Sequence, residues 1–312
     1  MKLQLKSWRN LKLTLRPWQR RAAYGVFAAA AFLFALRQTF PAEAVKERLI
    51  LEAAAAGWQV SVADVRPAGI AGIGMRSVVL ESRDGLRIPI ERLDAHVRLL
   101  PLLVGRRGVA FDAALFEGRV RGVAEASQTS RHLSAKLASV DLSRAVALRR
   151  ATGMDFAGLL RGSVDVTVDE KQPAKSEGFV DLAVDGAAVN GGQMPIPGMG
   201  GALTVPKLGF GQLTAKATVK EGRMFFDRLE TRGDDVEATG EGLYCVLQPR
   251  MAFAPIFGKA KFRIRDTFWS KSGAAAFKPI IEVALAQARA GDGAYGFQIF
   301  GTLSQPQARM AP

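Results

Sequence analysis

The spacing of hydrophobic positions changes twice along this chain of 312 residues. From Ala22 to Leu36 the residues are apolar or small, without charge or proline, and the run has no polar face. From Ala42 to Ala56 the apolar residues Val45, Leu49, Ile50 and Ala53 recur at helical spacing. Pro41 stands where a first turn tolerates proline, and Gly57 supplies a stop, so a short helix is expected there. Beyond it the period falls to two. Gln59–Val65 alternates, with its valines expected on one face, and Arg76–Glu81, Leu86–Val97 and Val109–Val123 read as further strands separated by glycine turns. Asp84-Gly85 is a hairpin turn signal between two of them.

One helical interruption is expected at Ser143–Thr152, with Ser143 as its cap. Alternation then resumes, with Val164, Val166 and Val168 opposed to Asp165, Thr167 and Asp169, and continues through Val180, Leu182 and Val184. Residues 190–202, rich in Gly and Pro, read as a loop that no regular element tolerates. Leu213, Ala215, Ala217 and Val219 form another apolar face. Phe277, Ile280, Ile281, Ala284, Leu285 and Ala288 mark an amphipathic helix, and a last strand runs from Tyr295 to Gly301. The expected fold class is mainly β: an extended, curled antiparallel sheet with a few short helices, following a single N-terminal transmembrane helix.

That first segment carries its own signature. Lys2, Lys6, Arg9, Lys12, Arg16, Arg20 and Arg21 precede the apolar run, and no acid occurs before Glu43. A cationic flank stays on the cytoplasmic side, so residues from 41 onward are expected in the periplasm of a bacterium. The membrane anchor is assigned to residues 22–40, through Tyr24, Val26, Phe27, Phe32, Leu33, Phe34, Leu36 and Phe40, with Arg37 snorkelling to the interface. The branched and aromatic members contribute roughly −0.3 to −0.6 kcal/mol each toward insertion. Ala42-Glu43-Ala44 offers a cleavage pattern for a signal peptide, but Arg37 between it and the apolar run argues for a retained anchor. The organisation read from the chain is a basic segment at 1–21, the anchor at 22–40, a neck helix at 41–57 and a β-rich periplasmic domain at 58–306. That domain has a candidate division into halves near 150–160.

Net charge is +14, yet the basic residues before position 38 account for much of it, and no nucleic-acid motif accompanies the rest. Nucleic acid is therefore not an expected partner. The single Cys245 excludes an intrachain disulfide and lies in an apolar stretch, as a buried thiol would. His96 and His132 stand in no catalytic or metal spacing. Gly69–Gly74 superficially echoes a phosphate loop but lacks its strand-to-helix context and acidic partner, so a turn is expected. Asp234, Asp235, Glu237 and Glu241 lack the ligand spacing of a calcium loop and read as solvated acids. No catalytic residue, metal site or cofactor is assigned, and a non-enzymatic role is expected.

The informative residues are Gly-and-apolar patterns. They include Thr39-Phe40-Pro41, Ala55-Ala56-Gly57, Val60-Ser61-Val62, Met75–Leu80, Leu93-Asp94-Ala95, Leu99–Gly105 and Phe111–Gly122. Glu221-Gly222-Arg223, Leu229–Gly242 and Phe300–Leu303 follow in the C-terminal third. From Phe40 to Pro306 the chain resembles the GspN family, the N component of the type II secretion system of proteobacteria. Glu221–Gly242 also resembles the repeats of AsmA-like and TamB-like envelope proteins, which are implicated in lipid traffic between membranes. The first resemblance implies an accessory inner-membrane component that docks with other secretion-system components in the periplasm. The second implies a lipid-handling protein with phospholipid or other acyl chains as ligands. Neither implies active-site residues.

Overall fold

The computed structural model describes Tyr24, Phe27 and residues 42–55, 58–69, 72–82, 87–102, 105–169, 171–195, 202–248, 253–271, 274–275 and 278–311. Helix α1 (Ala42–Ala55) leads into β1 (Trp58–Pro67), β2 (Gly72–Ser82), β3 (Arg87–Arg98), the short α2 (Leu99–Leu102), β4 (Arg107–Leu115), β5 (Gly118–Ala126) and β6 (Ser130–Asp141). Helix α3 (Val146–Thr152) precedes β7 (Met154–Asp169), β8 (Glu177–Pro195), β9 (Ala202–Val205), β10 (Leu208–Lys220), β11 (Arg223–Arg232), β12 (Val236–Val246) and β13 (Ile256–Ile264). The chain closes with α4 (Asp266–Trp269), α5 (Lys278–Ala284), β14 (Tyr295–Gly301) and β15 (Pro306–Met310).

The fifteen strands among the described residues belong to one antiparallel sheet. Fourteen follow one another in chain order, and β9 pairs with β8 alone. Apart from β10, which pairs with β8, each strand pairs with its predecessor; most connections are short, while that from β13 to β14 carries α4 and α5. The fold is therefore mainly β, with a few short helices. Strands β6, β9, β11, β12, β13 and β15 were not anticipated from the sequence. In β6 the alternation breaks at a bulge between Leu137 and Val140, where Ser139 takes a φ of 53°. β13 and β15 do alternate, with Gly258, Ala260, Phe262 and Ile264 against Lys259, Lys261 and Arg263, and Pro306, Ala308 and Met310 against Gln307 and Arg309.

Two expectations near the middle need correction. Residues 190–195 are not loop but the end of β8, which pairs Gly192–Pro195 with β9. The glycines are suited to strand here, since a Cβ on Gly192 would sit 2.4 Å from the Gly153 carbonyl oxygen. β9 and β10 keep one register along β8 and form a single strand interrupted at Pro206-Lys207. The cap near residue 143 is also different: the Asp141 carboxylate accepts from the Ser143 N–H at 2.9 Å, opening a 3-10 turn (Leu142–Arg144) ahead of α3.

The valines of β1 gather in one cluster, but not by simple alternation. Val60 and Val62 have one parity and Val65 the other, and between them Ala63 and Asp64 are both exposed. The same two-residue exposed step occurs at Arg76-Ser77 in β2 and at Glu91-Arg92 in β3, beside it in register. Ser77 takes a φ of 51°. The backbone turns over across three strands, so apolar positions on both sides of the step pack together. Val62, Met75, Val78, Ile90 and Ala113 form that core, with Val60, Val65, Leu80, Ile88 and Leu93 against it. Helix α1 packs beside β1, and α3 reaches back to touch β3 across the width of β4–β6, so the sheet is curled.

Candidate functional site

The register assembles one apolar row from ten strands. It runs Val97, Val109, Ala124, Leu133, Val166, Gly178, Val219, Met224, Cys245 and Ile256, each opposite the next. The row shares its face with the core residue Ala113. Its exposure falls steeply along its length. Val97, Val109 and Leu133 are 45%, 38% and 42% exposed, whereas Val219 and Cys245 are 1% and 0%. Neighbouring strands lie about 4.8 Å apart, so the open part across β3–β6 is about 14 Å wide. Leu100, just past β3, is 80% exposed. An apolar strip that opens at one end is a candidate binding surface, because leaving it in water is unfavourable.

The second accessible feature is an edge. Among the described residues β15 pairs only with β14, which leaves the backbone groups on its other side open to pairing with another strand. The opposite edge, β1, has α1 beside it.

The other face of β3–β6 carries charge. The Asp112 carboxylate accepts from Arg119 at 2.6 and 2.5 Å and from Arg121 at 2.9 Å, while Arg92 pairs with Asp94 at 2.7 Å. Arg92, Asp94, Asp112 and Arg119 line a hollow of about 400 Å³ with Ala114, Glu117 and Ala138. They satisfy one another, so the hollow reads as a solvated ionic lattice. The hydrogen bond from Arg119 holds the Asp112 carboxyl below its ordinary value of 3.8, and Arg265 does the same for Glu237. A carboxyl with a lowered folded value stabilises the protein above its unfolded value and loses that contribution as pH falls through the folded one. Urea midpoints are therefore expected to decline below about pH 4, and Arg119→Gln should flatten that decline slightly. An unchanged acid limb in the variant would count against the pairing.

Of the residues assigned to the anchor, Tyr24 and Phe27 are helical and 74% and 71% exposed. Val26, Phe32, Leu33, Phe34, Leu36 and Phe40 lie outside the described residues, as does Asp84-Gly85. No helix among the described residues is long and apolar enough to cross a membrane. Gly69 takes a φ of 67°, and Ala68 N–H donates to the Gly72 carbonyl at 2.9 Å, so the glycine stretch leaves β1 in a turn at Gly69, while Gly72 and Gly74 already belong to β2. Cys245 is wholly buried, and burial pushes its thiol up, away from the reactive thiolate. His132 Nδ1 lies 3.0 Å from Thr167 Oγ1, and His96 is exposed beside Gly72. Among the described residues no group of His, Cys, Asp and Glu is arranged to hold a metal ion.

Asp235 is the correction among these residues. It is 1% exposed, not solvated. Its Oδ2 accepts from the Gly209 N–H at 2.6 Å and from Lys271 Nζ, while Oδ1 is buried without a partner among the described residues. Its backbone carbonyl accepts from the Arg265 N–H at 2.8 Å. This one residue thus joins the start of β10, the β11–β12 turn and the segment after α4 through its carboxylate, and the end of β13 through its backbone carbonyl. A Cβ on Gly233 would sit 2.4 Å from the Gly209 carbonyl oxygen, so glycine permits this approach. Compared with family models, with curated proteins and with solved structures, the chain finds no match.

Proposed function

We propose that this chain acts by binding, as a non-enzymatic accessory component of the type II secretion system. It would be anchored in the inner membrane by residues 22–40, with its sheet in the periplasm. The observation that carries a docking role is the edge strand β15, exposed along all five residues and unpaired on one side. Strand addition at such an edge gives affinity through main-chain hydrogen bonds. Assignment to secretion rests on the GspN-like patterns from Phe40 to Pro306.

A photo-crosslinking residue placed at Gln307 in cells tests the docking role. Adducts with inner-membrane secretion components are expected. Adducts confined to unrelated proteins, or none, would contradict it.

A second reading is favoured by the apolar row. Its open end at β3–β6 continues without a break in register into the buried positions Val219 and Cys245, as a track for an acyl chain would. Each methylene covered there contributes roughly 0.8 kcal/mol. On that reading the chain is an AsmA-like or TamB-like lipid-handling protein of the envelope.

A further inference from the structure

The end of the sheet where the apolar row opens is also strongly basic. Arg98 closes β3, Arg106 and Arg107 open β4, and Arg131 opens β6, all exposed. The acid on the neighbouring end of β5 is Glu125, which already accepts from Arg98. Between these arginines stand Val97, Val109, Leu133 and the nearly bare Leu100. The next acids in sequence, Asp112 and Glu117, lie toward the other end of the strands, with Asp112 held by Arg119 and Arg121. Two acids share this end, Glu125 held by Arg98 and Asp169 opposite Ser130 at the close of β7, while Arg106 and Arg107 stand exposed beside the apolar residues. Apolar side chains flanked by exposed arginines complement one surface chemistry in particular: an acyl interface under anionic phosphate headgroups.

β1 begins at Trp58 and runs ten residues to Pro67, level with Ala95 near the end of β3. At about 3.3 Å per residue, the patch lies roughly 30 Å along the strands from the start of β1. We propose that this end of the sheet docks on an anionic phospholipid surface. Leu100, Val97, Val109 and Leu133 enter the interface, and Arg106 and Arg107 meet the phosphates. The proposal rests on this patch alone and does not depend on the secretion reading.

The test uses full-length protein with Leu100→Cys labelled by an environment-sensitive dye. Cys245 stays in place because it is wholly buried. The probes are phosphatidylcholine vesicles with and without phosphatidylglycerol, each carrying a lipid-borne nitroxide quencher. Quenching of the dye by the phosphatidylglycerol vesicles alone is expected. Because one basic side chain near an anionic surface contributes about fivefold in affinity, Arg106→Glu with Arg107→Glu should weaken it by at least about tenfold. Circular dichroism of the double variant should match that of the parent, since both arginines are exposed. Absence of quenching at either composition overturns the proposal. Equal quenching at both compositions, or quenching untouched by charge reversal, overturns it as well.

Discussion

Replacing Val78 by Asp is expected to cost about 4 kcal/mol or more, a large share of the stability of an ordinary domain. Val78 is 1% exposed and pairs in register with Val62 on one side and Ile90 on the other, both buried. No cationic residue stands in that cluster, so an introduced carboxylate either stays ionised without a partner or folds only when protonated. Val166→Asp makes the contrast. Val166 lies on the apolar row, but it is only half-buried, opposite Gly178 and the 42%-exposed Leu133. It should cost about 1 kcal/mol. Urea titrations followed by circular dichroism compare the two, and equal midpoint losses would contradict the reading of where the sheet is covered.

The second large effect is expected at Lys271. Lys271→Met leaves the Asp235 carboxylate buried beside the Gly209 N–H without this counter-charge; because the Lys271 side chain is itself 41% exposed, the loss is about 2–3 kcal/mol. Adding Asp235→Asn removes the stranded charge while keeping an oxygen for the Gly209 N–H. The double variant should therefore be more stable than Lys271→Met alone. A double-mutant cycle reads this directly: a coupling above about 1 kcal/mol is expected, and additivity within about 0.5 kcal/mol would show that the two groups do not act together.

These two sites differ in how far the amino-acid order reveals them. The alternation in β7, β8 and β10 is local, so strand assignment there needed only a period of two. The core of β1–β3 was half visible: Val60, Val62 and Val65 do meet, but the reversal at Ala63-Asp64 depends on neighbouring strands making the same step. β15 alternates Pro306, Ala308 and Met310 with Gln307 and Arg309, but it is only five residues long and wholly exposed, and pairing with β14 makes it a strand. Asp235 was misread because its partner Lys271 is 36 residues away. Its one local sign is the pair of glycines, Gly209 and Gly233, at a close backbone approach. The row from Val97 to Ile256 needed the register of ten strands, information that no single strand contains. Its open end and its basic rim followed only once that register was known.

The central claim is that this chain serves protein secretion by binding. It is tested most directly by deleting the gene and profiling both secreted proteins and envelope lipids. The account predicts loss of type II-dependent proteins from the medium, restored by the intact gene, with lipid distribution between the membranes unchanged. Normal secretion, with phospholipid redistributed between the membranes, would contradict it.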